Sequence, residues 1–452
     1  MSSPLREFVE RAHAAGITIH TLEVGVEGRT VARQEIAPFG TEIPHRMYSV
    51  SKSITALAVL LLVEEDRLRL DAPIVTYFPE MEPTSPWLAA TRIDDMLAMT
   101  GPHSRTTFDD TGEWLASYFR RPPTHRPASQ FVYDTSASYT LAALVERCGG
   151  APLLEYLRPR VLEPLGIGAG ARFLAGPDGF SHGGSGLIAA PHDLVRLAEV
   201  INGAGSCRGV RVLPERVVRR LLELRSDPGM QAWGAPFRAG YGRHVWLPRA
   251  GAWMMFGLGG QIVHGEPERS LVAVVTADAT PITGGDQRLV EMLLTALSHD
   301  QLDDPGALDM PLGAHDPAHA RSLSGAFTVI TGDGAPDRVA LTVDSAGGEV
   351  RIGGNAPLRF STGGRTVTDG ALGRGVIAAR WSRPGVLELL LSAASDDISS
   401  VHMRIVVSDD DIVTVQSHGS GPEIGAAWTW VGSYRPAGSG RPVSSPWLDN
   451  AS

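Results

Sequence analysis

One lysine, Lys52, stands three residues after Ser49 in the run Tyr48-Ser49-Val50-Ser51-Lys52-Ser53, where a long apolar stretch begins. Every other long basic side chain in the 452 residues is an arginine. An arginine can hold charge or pair with a carboxylate, but with a pKa above about 12 it does not give up its proton. A lysine can, when burial and neighbouring charge depress its pKa. Positions i and i+3 share a helix face, so this spacing would set a hydroxyl beside a potential base. The helix N-terminus would add partial positive charge there. Ser-x-x-Lys alone is a weak pattern, and a composition that trades lysine for arginine leaves single lysines by chance. The singleton and its place at a helix start favour a nucleophile and its base. Ser51 and Ser53 have no lysine three residues on and are expected to be dispensable.

A seryl nucleophile needs further help: a second proton carrier and donors for the oxyanion. Tyr133-Asp134-Thr135, at a loop-to-helix junction, offers a phenol, although a tyrosine before a helix is more often structural. Phe256-Gly257-Leu258-Gly259-Gly260-Gln261 offers glycines before a strand, where another backbone can approach closely and a strand edge can present an N–H. A phosphate-binding loop is excluded there, because no lysine follows and the next residues read as strand, not helix.

The elements that must position these residues are legible from periodicity. Leu5–Ala15 reads as an amphipathic helix, and Thr18–Val26 and Thr30–Ile36 as strands joined at Glu27-Gly28. Ser49–Leu70 is apolar almost all round, the mark of a helix buried at the centre of a domain. Thr91–Met99 reads as a short helix with a threonine cap. Another helix follows Phe131–Thr135, runs to Arg147 and stops at Gly149-Gly150. His192–Asn202, Pro214–Glu223 and Asp286–Ser298 are further helices, and Gly251–Val275 holds two strand-like runs around its glycines. Residues 301–321, rich in Asp, Pro, Gly and His, read as a linker. His315 and His319 in it carry little weight as metal ligands. Residues 322–436 change texture to short strands punctuated by turns: Arg338–Val343, Glu349–Ile352, Val376–Trp381, Val386–Leu391, His402–Val407 and Ile412–Gln416. Such spacing predicts a small antiparallel barrel or sandwich. Residues 437–452, rich in Ser, Pro and Gly, are expected to be a poorly ordered tail.

Composition bounds the function. Apolar residues make up 43% and charged residues 20%, as in an ordinary globular protein, and the net charge is −10. With no basic block, nucleic acid is not an expected partner. Cys148 and Cys207 form neither a disulfide framework nor a zinc motif and read as small buried hydrophobes. No metal or cofactor is expected. The longest apolar stretch, Ala56 to Val63, falls short of the roughly 20 residues of a membrane span. The first residues lack the basic and apolar regions of a secretory leader, so a cytoplasmic location is expected.

Several segments taken in order resemble the serine β-lactamase-related family of class C β-lactamases, DD-peptidases, esterases, thioesterases and amide hydrolases. Ser49-Val50-Ser51-Lys52 is similar to its first motif and Tyr133-Asp134-Thr135 to its second. Leu258-Gly259-Gly260 stands where the third falls. Leu70–Glu80, Arg92–Gly101, Gly183–Leu194 and Pro267–Val275 resemble further family stretches, and the likeness covers roughly residues 5–300. The resemblance implies an α/β (α+β) fold: an antiparallel sheet flanked by helices, with an all-α subdomain. This catalytic domain would span 1–300, and 322–436 would be a lipocalin-like β domain. It implies Ser49 as the acylated nucleophile, Lys52 as base or relay, and Tyr133 as the shuttle to the leaving group. The oxyanion would lie on the N–H groups of Ser49 and Gln261, with Gly260, Thr135 and Leu258 lining the substrate.

Two departures matter. Thr135 replaces the usual Asn of the second motif, a change that a hydroxyl makes tolerable. Leu258 replaces the Lys or His of the third, so the cation that meets a substrate carboxylate is gone. Burying such an anion unpaired is costly, which argues against penicillins and D-Ala-D-Ala ends. The expected substrate is a small-molecule or peptide acyl group held as a neutral ester, amide or thioester. The acyl group would pass to water or, in a transacylase or peptide cyclase served by a carrier protein, to an amine. A non-catalytic binding protein of the same fold is the competing reading.

Overall fold

The computed structural model describes residues 3–83, 85–168 and 170–438, in two compact units that divide at Pro311. The tail expected to be poorly ordered lies, from residue 439 on, outside the described residues.

The first unit is built on a five-stranded antiparallel sheet. Helix α1 (Pro4–Ala14) buries Leu5, Phe8 and Ala12. Strands β1 (Thr18–Val26) and β2 (Arg29–Glu35) form a hairpin closed by Glu27 and Gly28, both left-handed, as a two-residue turn requires. The chain then leaves the sheet for more than 200 residues, which include α2 (Val50–Glu64), α3 (Thr135–Gly149) and α4 (Pro191–Asn202). It returns as β3 (Trp253–Gly257), β4 (Gln261–Glu266) and β5 (Leu271–Asp278), and α5 (Gly285–Leu297) closes the unit. The strand order is β2-β1-β5-β4-β3, which leaves β3 at an edge. Helices α1 and α5 pack together, and α4 lies across β5, β4 and β1. All eight residues of β5 are buried, so its two faces are both covered.

Helix α2 is the axis of the unit: every residue from Val50 to Leu62 is buried. It ends six residues short of the predicted Leu70. Asp66 takes a left-handed conformation, and the Arg67 N–H turns back to the Leu62 carbonyl. The helix expected over Thr91–Met99 is confined to Ile93–Leu97. Its N-terminus is closed by the Asp95 carboxylate on the Arg92 N–H, not by Thr91, whose hydroxyl serves the Trp87 carbonyl. Cys148 and Cys207 are free and half-buried.

The stretch read as a linker divides between the units. Leu308 and Met310 are buried in the first, where Met310 O meets His13 Nε2 at 2.6 Å. In the second unit His315 Nδ1 accepts from the Trp381 N–H. Among its described residues that unit holds ten antiparallel strands from Leu323–Asp333 to Trp430–Pro436, and these first and last strands pair with one another. The two strands that end the sheet, Leu358–Ser361 and Arg365–Gly370, lie side by side, so the barrel nearly closes. All six strands named from the sequence are present. The barrel's interior is filled by side chains, among them Phe327, Phe360, Leu387, Trp381 and Tyr434.

Candidate active site

Ser49 sits on the turn that opens α2. The preceding His45–Arg46 strand pairs with Leu187–Ala189, and the Met47 N–H donates to Leu187 O at 2.8 Å. Tyr48 is forced to a positive φ of 47°, which a non-glycine residue adopts only under constraint. Ser51 supplies much of that constraint: its hydroxyl donates to Tyr48 O at 2.5 Å and accepts from the Leu187 N–H at 2.8 Å. The Ser53 hydroxyl donates to His244 O at 2.5 Å. Both serines expected to be dispensable are therefore buried brackets of the turn and its surroundings. Sequence spacing to a lysine could not reveal this.

Lys52, one turn into α2, is 1% exposed. Its Nζ donates to Ser49 Oγ at 2.9 Å and to Gly184 O at 2.6 Å, and lies 4.8 Å from the centre of the Tyr133 ring. Burial pushes the amine down to about 7, against the opposing charge of Asp134. Gly184 reaches it because the chain there has no side chains. A methyl group at Gly183 would meet Thr55 Oγ1 and Ala142 Cβ at 2.5 Å, and one at Gly184 would meet Thr135 Cγ2 at 2.6 Å.

Tyr133 comes to the site through the loop before α3. The Val132 N–H holds Met99 O at 2.7 Å, and Asp134 caps the helix by accepting from the Ser136 N–H at 2.8 Å. The Tyr133 hydroxyl hydrogen-bonds the Ser49 side chain, and burial pushes the phenol well above its ordinary range. At neutral pH it is a proton donor. Burial also raises the Asp134 carboxyl to about 6, opposed by hydrogen bonds from Ser136 and by Lys52. His244, whose Nδ1 lies 3.0 Å from Lys52 O, is held down at about 3 by burial. Asp134, Gly184 and His244 were not singled out from the sequence. Asp134 and Gly184 lie inside segments that were, and the glycine pair was the signal for Gly184.

The third segment divides. Gly257, the last residue of edge strand β3, lies against the turn that carries Ser49: a methyl group there would sit 2.3 Å from Met47 O. Leu258 follows at the turn, 43% exposed. Gly260, at φ 92°, fits tightly against Leu289 of α5. Gln261 opens β4, one strand in from the edge, and is wholly buried; its carboxamide donates to Leu258 O and Ala277 O at 3.2 and 2.7 Å. Its side chain braces the hairpin. Thr135, half-buried, takes its place against Gly184, and its N–H donates to Thr106 Oγ1.

An open cleft of about 930 Å³ is lined by Phe131, Tyr133, Trp233, Met230, Gln130 and Arg225, among others. The Arg225 guanidinium pairs with Asp94 at 2.5 Å. Among the described residues no group of three or more His, Cys, Asp or Glu side chains could hold a metal ion. No helix among them is long and apolar enough to cross a membrane.

An antiparallel sheet flanked by helices, here in the first unit, is the fold of β-lactamase-like and penicillin-binding-protein-like hydrolases and esterases. The β-lactamase family model matches residues 5–296, and the chain belongs to that family, whose members are generally serine hydrolases. It is 28% identical over 265 residues to Protein Rv1367c of Mycobacterium tuberculosis, covering 45% of this chain and 66% of that protein, just under two thirds of its length. It is 30% identical over 158 residues to Esterase EstB of Burkholderia gladioli, covering 30% of this chain and 40% of that one. The penicillin-binding protein homologue of Pyrococcus abyssi is 14% identical with a TM-score of 0.53. That likeness covers 94% of this chain and 98% of the other, and so extends over the folds of both units.

Proposed function

We propose that the protein is a serine hydrolase that forms an acyl-enzyme on Ser49 from a neutral ester, amide or thioester of a small-molecule or peptide acyl group. The observation that carries this reading is the 2.9 Å contact between Ser49 Oγ and a buried amine pushed down to about 7. Near neutral pH a large fraction of Lys52 is uncharged and can take the hydroxyl proton as Oγ attacks the carbonyl carbon. The negative charge that develops on the carbonyl oxygen needs fixed donors. We assign these to the N–H of Ser49 and to that of Leu258. Leu258 follows Gly257 at the sheet edge against Met47, whereas Gln261 lies one strand further in. Tyr133, a neutral phenol at that pH, gives its proton to the leaving atom as the carbonyl–leaving-group bond breaks, and recovers one from the Lys52 ammonium. Water then cleaves the acyl-enzyme by the reverse roles. The apolar side chain of Leu258 beside the proposed oxyanion site, and Arg225 already tied to Asp94, favour an uncharged reacting end.

The test is labelling with a fluorophosphonate, followed by peptide mass mapping, beside turnover of a p-nitrophenyl ester. The label is expected on Ser49, with Ser49→Ala losing both label and turnover while melting as the wild type does. Near-normal turnover by a folded Ser49→Ala protein, or no label in the wild type, overturns the assignment.

A further inference from the structure

The cleft that adjoins Tyr133 has a wall the reaction itself does not require. Trp233 is half-buried there and held by four other rings. It meets Tyr133 edge-on with centroids 5.3 Å apart, Phe237 edge-on at 5.7 Å, Trp246 at 5.9 Å and Phe256 at 6.5 Å. Trp246 in turn stacks on Tyr133 at 5.6 Å with the planes 21° apart. Two of these neighbours define where Trp233 stands. Tyr133 touches Ser49, and Phe256 is the residue before Gly257 on the edge strand that faces the nucleophile turn. The indole thus bridges Tyr133, which contacts Ser49, and Phe256 near the end of the edge strand. Beyond it Met230 is 99% exposed. Met230 lines the same cleft, and its flexible thioether side chain is free to fold onto an apolar group bound there.

We propose that the leaving group of the natural substrate carries an aromatic ring that seats against Trp233, beneath Met230. The inference rests on the Ser49 reading above and adds the substrate class. The leaving side is assigned because Tyr133, which protonates the leaving atom, forms a wall of the same cleft. A ring held by four others is already ordered, so a substrate ring stacking on it orders little further protein. The cleft's guanidinium is held by Asp94, so it does not call for an anionic leaving group. In acylation the Oγ–carbonyl bond forms, the carbonyl–leaving-atom bond breaks, and the aromatic alcohol, thiol or amine departs with the Tyr133 proton.

The test holds the acyl group fixed and varies what leaves, using benzyl acetate and ethyl acetate with the full chain. Both give the same acetyl-enzyme, and kcat/KM reports acylation alone. The wild type is expected to prefer benzyl acetate by about tenfold or more, the size of one well-placed aromatic contact. In Trp233→Ala that ratio should collapse towards unity, and Trp233→Phe should restore most of it. No preference in the wild type, or an unchanged ratio in Trp233→Ala, overturns the proposal. Should Trp233→Ala not fold, the wild type still decides. Benzyl alcohol, but not ethanol, is expected to slow fluorophosphonate labelling of Ser49, and equal protection by the two overturns the proposal. A wild type that takes no label at all would instead sink the hydrolase reading on which the proposal rests.

Discussion

The two units bury different things. The first encloses Glu23, Lys52, Asp134, Arg243, Glu266 and Asp278, each under 9% exposed. Among the described residues of the second, one charged side chain, Asp397, is buried to that degree. The polar seam of the first unit runs where α2 meets α3: Ser51, Lys52, Ser53 and Thr55 on one helix, Asp134, Ser136, Ser138 and Thr140 on and before the other. The barrel is lined instead by an apolar cluster. Its buried Trp381 spends its indole N–H on Asp344 O at 2.9 Å. Burying an amine is costly unless something uses or satisfies it. An apolar core in one unit and a buried polar seam in the other set the altered proton affinities where the proposed chemistry lies.

The sharpest way to break this comparison is to change the amine and keep the charge. Lys52→Arg is expected to be nearly as inactive as Lys52→Ala, a loss of about 10²–10⁴ in rate. Guanidinium can neither take up a proton nor give one up near pH 7. With the amine pushed down to about 7, kcat/KM of the wild type should fall as pH drops below that value, because the base becomes protonated. The apparent pKa will belong to the coupled Lys52–Tyr133 pair. Stopped assays across pH 5–9 check both points. A Lys52→Arg enzyme within about threefold of wild type, against that floor of about 10², would make the seam a matter of packing.

The complementary cut falls in the dry core. Trp381→Ala is expected to cost the barrel about 3–5 kcal/mol by cavity formation. Below its melting point it should leave fluorophosphonate labelling at Ser49 intact. Scanning calorimetry read beside the label separates the two, and loss of the label at a temperature where the barrel is still folded would show that the units are not independent.

How far the sequence reached follows the same division. Periodicity located the central helix, the outer hairpin and six barrel strands, because apolar patterning reports which face is buried. It overran α2, since the stop at Asp66 is a backbone conformation at a residue with no helix-breaking side chain. Four of the ten barrel strands went unnamed, and Arg365–Gly370 shows why: one of its six residues is buried, so apolar alternation is faint there. That Ser49 and Lys52 would meet was expected from their spacing together with the singleton lysine, and the approach of Tyr133 from the order of the motifs, not from its helix junction by itself. Gln261 was placed on the oxyanion by its position after a glycine run. In the hairpin register Gln261 lies opposite Gly257, which stands on the edge strand. Sheet order is a long-range fact that a local motif does not contain.

A smaller effect is expected at Ser51. Removing its hydroxyl leaves the Leu187 N–H unpaired in a buried place, while Tyr48 O keeps the Ser51 N–H at 3.0 Å, at a cost of about 1–3 kcal/mol. Because Tyr48 sets the angle of Ser49, Ser51→Ala should also lower kcat more than it raises KM. A chemical melt with steady-state kinetics reads both. An unchanged melt would return Ser51 to the dispensable class that its spacing had implied.

The smallest effect tests the missing cation. Leu258 is 43% exposed, so a charge placed there stays partly hydrated and screened by salt. Exposed pairs of opposite charge contribute roughly 0.2–1 kcal/mol, which converts to a gain of at most about fivefold. Leu258→Lys is therefore expected to raise kcat/KM for the monobenzyl ester of succinate, relative to benzyl propionate, by a factor of about 2–5 at low salt. The gain should shrink as salt is added. Leu258→His should do the same less strongly near pH 7, since histidine is charged mainly below about 6.5 and Lys52 is a poorer base there. Neither variant should hydrolyse penicillins well, because one added charge does not rebuild a carboxylate pocket. Tight penicillin binding by the wild type would mean that the site already satisfies an anion, and that Leu258 is not what keeps carboxylates out.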